Sequence, residues 1–213
     1  CFFGPDIGLA SSRAKLITKN YSLDASNPFV SSSVSAEEIE LDPFCLTNEA
    51  LTLSIFNEIR LVRVNLNTSP RPININKLSI AIKHLLDCFP VERSLTIIEA
   101  GDIKSSSSIF STLSKNKNVA LIPCYNEDEK DIYSLLKSYL HSEKIIAEKE
   151  VIDTICNYLG NDHLNSINEI DKLCSYIYPR KNITLEDIDL CLSDASLVNI
   201  DKISYSCILG EKM

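Results

Sequence analysis

Apolar residues in the first half of the chain occur in short runs that alternate with stretches of helical spacing. The runs at 60–65 and 95–100 are compact, rich in β-branched residues and bounded by polar ones, as buried parallel strands are. Strands that alternate with helices predict a parallel sheet covered by helices, an α/β fold. The predicted strands are 1–3, 29–33, 60–65, 95–100 and 119–123, and the predicted helices between them are 9–20, 43–53, 74–89 and 105–117.

The pattern changes after Pro123, where the apolar spacing becomes helical throughout. Asn126 is predicted to cap a helix whose first turn is rich in carboxylates, which suits the helix dipole. Three more helices are predicted at 147–159, 162–178 and 184–192, the last opened by a capping-box pattern. The sequence therefore predicts an α/β domain at 1–125, a small all-helical domain at 126–195 and the start of a third domain at 196–213.

Charge and cysteine usage limit the classes of partner. The chain of 213 residues has a formal net charge of −8 and a pI near 4.9. It lacks the basic surface with which proteins bind nucleic acid on their own, so we expect any DNA contact to depend on another subunit. Eight cysteines lie far apart without a C-x-x-C pair, and there are only three histidines. We interpret the cysteines as reduced thiols and expect no metal site.

The sequence also bears on location and completeness. No apolar stretch approaches the ~18–20 residues of a membrane span, and the first residues do not follow the pattern of a signal peptide. We expect a cytoplasmic protein without membrane contact. The chain opens on strand-like residues without an initiator Met, so we interpret it as a fragment and expect that fragment to be monomeric.

The first residues have the layout of a phosphate-binding loop: a strand, a turn with Gly4 and Gly8, and a helix. A working loop follows its second glycine with Lys and Ser or Thr, whereas Gly8 is followed by Leu9-Ala10. No Asp-Glu pair follows the strand 60–65 to position Mg²⁺. We assign Glu99-Ala100-Gly101-Asp102 to a structural turn, and the two glycines of the loop to backbone geometry. The sequence thus predicts a nucleotide-binding scaffold without catalytic residues.

Two apolar residues near the end of the helix 43–53 stand apart from the stripe that faces the core. At 100° per residue, Ile55 and Phe56 point away from that stripe, and polar residues follow them. They can form a protruding hydrophobic anchor. Alternatively, the helix ends at Ser54 and both side chains return to the core. The pattern alone favours the second interpretation.

Several segments, taken together, resemble the delta subunit of bacterial DNA polymerase III, the subunit of the clamp loader that opens the sliding clamp. They occur in the family's order along almost the whole chain. The segments are FFGPDIGL at 2–9, NPF at 27–29, EALTLSIF at 49–56, RLVRV at 60–64, IEAGDIK at 98–104, IPCY at 122–125, GND at 160–162, NEI at 168–170 and ITLEDI at 183–188.

This resemblance implies an AAA+-type, P-loop NTPase-like fold, in which 126–195 form the helical lid and 196–213 begin a helical collar. It implies a subunit that does not hydrolyse ATP, needs no cofactor, and is a component of the DNA-directed DNA polymerase III holoenzyme, a nucleotidyltransferase. The implied partners are the sliding clamp (beta subunit), the gamma/tau and delta-prime subunits, and DNA within the assembly.

The resemblance also implies how the clamp is held. The family uses a short hydrophobic motif, usually Ser-Leu-Phe, and Ser54-Ile55-Phe56 stands at that place with Ile instead of Leu. Ile keeps the apolar volume but moves the branch point. The resemblance therefore favours the protruding anchor. It also explains why residues 161–164 lack the Arg with which active AAA+ subunits often sense nucleotide.

Two other functions remain as alternatives. One is a divergent ATP-binding enzyme of the P-loop class, an ATPase or nucleotide kinase, that uses Arg13 or Lys15 in place of the missing Lys. The other is a degenerate AAA+ module of another complex, such as the delta-prime subunit. Delta-prime typically carries a zinc-binding cysteine cluster, which the scattered cysteines of this chain do not provide.

Overall fold

A five-stranded parallel sheet is the centre of the first of two compact units, Cys1–Tyr125 and Asn126–Met213. The computed structural model describes residues 1–21, 23, 27–52, 59–67, 74–88, 94–104 and 107–192. The strands are β1 (Phe2–Phe3), β2 (Ser31–Ser35), β3 (Arg60–Asn65), β4 (Ser94–Glu99) and β5 (Ile122–Pro123), in the spatial order β2-β3-β4-β1-β5. The helices of this unit are α1 (Ile7–Asn20), α2 (Ala36–Leu41), α3 (Cys45–Leu51), α4 (Ile75–Asp87) and α5 (Ser108–Ser114). The predicted α/β fold with a parallel sheet is confirmed.

Apolar side chains are buried on both faces of the sheet. Leu61 packs with Leu9 and Ala14 of α1, whereas Val62, its neighbour in β3, packs with Ile82 of α4. Successive side chains of a strand point to opposite faces, so β3 must be apolar at consecutive positions. This requirement explains why its bounds were predicted correctly.

The second unit is helical over its described part. Its helices are α6 (Glu129–Ser142), α7 (Lys149–Tyr158), α8 (His163–Ile177) and α9 (Leu185–Leu192). Each contributes fully buried side chains to one core, including Leu136, Ile155, Leu173 and Ile188. The four predicted helices are present within a few residues of their expected bounds.

The caps of this unit correct one prediction and confirm another. Asp128, not Asn126, caps α6: its carboxylate accepts from the backbone N–H of Asp131 at 2.9 Å, and the Asp131 carboxylate accepts from the N–H of Asp128 at 3.3 Å. This reciprocal arrangement satisfies two free donors, which Asn126 cannot do from two residues upstream. The capping box expected before α9 is present, with the Asp187 carboxylate accepting from the N–H of Thr184 at 3.0 Å.

Several element bounds in the first unit differ from the sequence prediction, and one helix was not predicted. Strand β2 covers 31–35, not 29–33, because the carbonyl of Asn27 accepts from the N–H groups of Val30 and Ser31 and holds them in a turn. Strand β5 is limited to two residues of the predicted 119–123. Helix α2 was not predicted, although Ser35 and Glu38 form a capping box at its start.

In the part of the chain that the structure describes, no helix combines the length and apolar character needed to cross a membrane. The predicted start of a third domain, 196–213, lies outside the described residues.

Candidate functional site

The turn after β1 is where a phosphate-binding loop would lie, and Gly4 is its critical residue. Gly4 has a φ of +137°, and its N–H donates to the carbonyl of Gly101 at 2.8 Å. A Cβ atom on Gly4 would lie 2.1 Å from the carbonyl oxygen of Cys124. Glycine is therefore required here because three backbone segments meet.

The second glycine of the predicted loop has a different place. Gly8 is the second residue of α1, so it lies in the first turn of the helix and not in the preceding turn. The sequence prediction placed it in the turn because the helix was expected to start at 9. Asp6 starts the helix two residues earlier by acting as its N-cap.

The cap on α1 alters the electrostatics of this site. The Asp6 side chain is only 5% exposed, and its carboxylate accepts from the N–H of Leu9 at 2.7 Å. In a phosphate-binding loop, the free N–H groups of the helix N-terminus bind the anion. Here one of those donors is occupied by a carboxylate of the chain itself, whose negative charge opposes an incoming phosphate.

The two cations proposed as substitutes for the missing lysine lie further along α1. The guanidinium of Arg13 donates to the carbonyl of Pro123 and contacts the Cys124 sulfur at 3.9 Å, so it is held at the end of β5. Lys15 lies on the exposed surface of the helix. Arg13 and Lys15 both lie beyond the first turn of α1, and the contacts of Arg13 hold its guanidinium at β5.

The segment Glu99–Asp102 contains a turn, and its first residue forms an ion pair with Arg63 of β3. Gly101 has a φ of +67°, as a tight turn requires. Glu99, 2% exposed, accepts from the Arg63 guanidinium at 2.9 Å. Sequence reasoning missed this pair, although a basic and an acidic residue on neighbouring strands are the signal for one.

The predicted anchor, Ser54, Ile55 and Phe56, lies outside the described residues. Before it, α3 ends at Leu51, not at 53, and its C-cap Thr52 is extended. Ala50 faces the core and is 2% exposed, whereas Leu51 is 49% exposed.

The two sides of the anchor are joined by Arg60, the first residue of β3. Its guanidinium donates to the carboxylate of Glu49 at 2.6 Å, to the carbonyl of Glu49 at 3.3 Å and to the carbonyl of Phe29 at 3.4 Å. The hydrogen bond from Arg60 lowers the pKa of Glu49 below its ordinary value. Apolar periodicity does not connect Arg60 with Glu49, so no role was predicted for either residue.

In the second unit, residues 161–164 span the start of α8, which begins at His163. Asp162 caps the helix by accepting from the N–H of Asn165 at 2.7 Å, and His163 lies 2.9 Å from the Glu127 carboxylate.

Burial raises the pKa of several cysteine thiols, that of Cys174 to about 11. No group of three potential metal ligands occurs within the described ranges.

Comparisons with known proteins give the family context. No protein-family model matches the chain. The chain is 25% identical over 188 residues to a probable DNA polymerase III subunit delta of Rickettsia prowazekii, a match that covers 87% of this chain and 53% of the relative. The chain therefore spans about half the length of the curated relative that it matches.

Solved structures show the same fold. A DNA clamp loader delta protein of Bacillus subtilis superposes with a TM-score of 0.62 at 17% identity, covering 100% of this chain and 68% of that chain. A variant of RuvB from Thermotoga maritima superposes with a TM-score of 0.53 at 11% identity, covering 99% of this chain and 74% of that chain. The fold is AAA+-like, as predicted, and the expected resemblance of this chain to the delta subunit of DNA polymerase III is confirmed.

Proposed function

We propose that this chain is a non-catalytic delta subunit of the DNA polymerase III clamp loader, which binds the sliding clamp and favours its open form. The observation that carries this proposal is the sequence similarity to a delta subunit, which extends over 87% of the chain. On this proposal the chain is a component of the polymerase holoenzyme and works in the cytoplasm with the gamma/tau and delta-prime subunits. Its domains are an α/β domain at 1–125, a helical lid at 126–195 and the start of a collar at 196–213.

The absence of ATP hydrolysis is part of the proposal, and the first turn of α1 supports it. The second glycine of the loop is not followed by Lys, and Asp6 places a carboxylate on an N–H group that would bind phosphate. Arg13 is held by the end of β5, which disfavours its use as a substitute. The energy for the loading cycle would therefore come from the motor subunits.

We assign clamp binding to Ser54-Ile55-Phe56. Phe56 and Ile55 are proposed to enter an apolar pocket of the clamp, with Asn57 and Glu58 at the polar rim. Burial of about 200–300 Å² of apolar surface is worth several kcal/mol at ~25 cal/mol per Å², before the costs of ordering and association. The clamp opens only to the extent that the chain binds its open form more tightly than its closed form.

The charge of the chain limits how DNA takes part. At −8, the chain is repelled by the phosphate backbone, so the proposal assigns most contacts with DNA in the assembly to other subunits. The chain by itself is expected to have no measurable affinity for duplex DNA at physiological salt.

Surface plasmon resonance against the sliding clamp of the same organism tests the proposal. The Ile55→Ala/Phe56→Ala variant should weaken binding at least about a hundredfold, since it removes both apolar side chains that are proposed to enter the clamp pocket. Leu41→Ala/Phe44→Ala is a matched control, because it removes two exposed apolar side chains elsewhere on the same unit, and it should bind like the wild type. Absence of wild-type binding, or equal losses in both variants, would refute the assignment.

Isothermal titration with Mg²⁺-ATP tests the non-catalytic part separately. We expect no heat of binding at micromolar chain and up to millimolar nucleotide. Tight, Mg²⁺-dependent binding would instead support a divergent ATP-binding enzyme.

A further inference from the structure

Arg60 and Glu49 lie on either side of the proposed clamp anchor in the sequence, and they meet in the fold. Their ion pair has an N–O distance of 2.6 Å, and the Arg60 side chain is 11% exposed. The stretch 50–59, which contains the anchor, follows Glu49 of α3 and precedes Arg60 of β3. The ion pair therefore joins the two residues that flank this stretch. We call the ion pair the Arg60–Glu49 clasp.

The clasp fixes backbone as well as side chains. Arg60 donates to the carbonyl of Glu49, in the last turn of α3, and to the carbonyl of Phe29, just before β2. A planar guanidinium with several donors can hold such groups in one geometry, which a lysine amine cannot reproduce. Three chain segments are therefore held together at the base of the stretch 50–59.

We propose that the Arg60–Glu49 clasp positions the anchor for the sliding clamp, with Arg60 and Glu49 acting as positioning residues that need not touch the clamp themselves. This inference rests on the proposed function. Its physical reason is pre-organisation: a segment whose two ends are fixed has less conformational freedom to lose when it binds.

A neighbouring ion pair on the same strand distinguishes this role from a general contribution to stability. Arg63 also donates to a carboxylate, that of Glu99, at 2.9 Å, but this pair joins β3 to β4 and does not flank the anchor. Glu99 is the more deeply buried carboxylate, with a side chain 2% exposed against 39% for Glu49. Loss of Arg63 leaves the buried Glu99 carboxylate without this partner and should therefore reduce stability.

The experiment measures the affinity and association rate of the intact chain for the sliding clamp, for Arg60→Met, Glu49→Gln and the control Arg63→Met. Each variant is measured at a temperature where circular dichroism shows it to be folded. We expect Arg60→Met and Glu49→Gln to weaken binding about tenfold each, the scale of a few extra ordered side chains. Their combination should weaken binding no further than the stronger single change, and Arg60→Lys should recover part of the loss.

The control and the anchor variant separate the possible failures. Arg63→Met should lower the melting temperature and leave the affinity of the folded chain unchanged. If folded Glu49→Gln and Arg60→Met bind like the wild type while Ile55→Ala/Phe56→Ala does not bind, the positioning role is overturned and the proposed function stands. If the anchor variant binds like the wild type, the proposed function fails and the inference fails with it. If Arg60→Met does not fold, Glu49→Gln decides, because its half-exposed side chain makes that change mild.

Discussion

At the scale of the residue, backbone proximity determines which glycines matter. Gly4 adopts a positive φ directly against the carbonyl of Cys124, whereas nothing lies within 4 Å of the Cβ position of Gly160. Packing therefore requires glycine at position 4 and imposes no such requirement at position 160. The close approach of Cys124 is therefore sufficient by itself to require glycine at position 4.

Gly4→Ala should therefore destabilise the first unit by more than about 3 kcal/mol, because backbone atoms on both sides must move and the φ is unfavourable for alanine. Urea unfolding followed by circular dichroism measures the change. Gly160→Ala is the control, and we expect it to stay within about 1 kcal/mol of the wild type. Similar stability for the two variants would show that the approach of Gly4 to Cys124 is not as close as described.

Asp187 gives a pH-dependent prediction at the same scale. The hydrogen bond from Arg180 lowers the pKa of Asp187, and Thr184 donates to the same carboxylate. A lowered pKa means that this stabilisation is present above the pKa of aspartate in the unfolded chain, about 3.9, and is lost as the pH falls through the lower value in the folded chain. Asp187→Asn keeps an acceptor oxygen for Thr184 but removes the charge that faces Arg180, and it should cost up to about 1 kcal/mol at pH 7.

Chemical unfolding of wild type and Asp187→Asn at several pH values checks this prediction. The difference in unfolding free energy should be constant at neutral pH and shrink below about pH 4, as Asp187 becomes protonated. A difference that does not depend on pH would mean that the charge of Asp187 contributes nothing.

At the scale of the element, helix α1 shows how a carboxylate of the chain occupies a donor at the place where a phosphate-binding loop would bind its anion. The helix follows β1 and a glycine turn, as in a phosphate-binding loop. Its first turn is capped by the side chain of Asp6. A carboxylate at this position stabilises the N-terminus electrostatically and supplies one acceptor that a phosphate would otherwise supply. The N–H of Leu9 therefore has an acceptor within the chain.

Two changes at Asp6 separate the cap from its charge. Asp6→Ala should lower the unfolding free energy by about 1 kcal/mol, because the N–H of Leu9 loses its acceptor. Asp6→Asn keeps an acceptor oxygen and should lose less than half as much. Urea unfolding measures both, and an Asn variant as unstable as the Ala variant would contradict the capping role.

At the scale of the whole molecule, the chain consists of two units, each with its own hydrophobic core. The proposed anchor belongs to the first unit, and the core of the second contains no residue assigned to clamp binding. Stability of the second unit and affinity for the clamp should therefore be separable by mutation.

Leu136→Ala tests this separation. Leu136 is 0% exposed in the core of the second unit, so its truncation should cost about 2–5 kcal/mol. Leu190→Ala, at a side chain 72% exposed on α9, should cost less than about 0.5 kcal/mol. Both variants, when folded, should bind the clamp like the wild type, as measured by surface plasmon resonance alongside urea unfolding. A loss of affinity in folded Leu136→Ala would show that the second unit takes part in binding.

The sequence predicted this architecture where burial imposes a pattern. Strand β3 was predicted at its exact bounds because both of its faces are buried. Strand β5 and helix α2 are too short to show a clear apolar period. The bounds around β2 are set by local hydrogen bonds of Asn27 and Ser35, and apolar periodicity does not predict such bonds. The Arg60–Glu49 clasp depends on a contact between separate elements, so no local sequence pattern predicts it. The anchor itself was predicted through resemblance, since the pattern alone favoured the core.

On the proposed function, this chain binds and opens the sliding clamp without using ATP. The most direct measurement is a fluorescence assay in which the clamp carries a self-quenching dye pair across its ring interface. Addition of the chain, without nucleotide, should increase the fluorescence to a plateau, and Ile55→Ala/Phe56→Ala should leave it unchanged. A signal that stays quenched at saturating wild-type chain, or an equal increase with the variant, would contradict the proposed function.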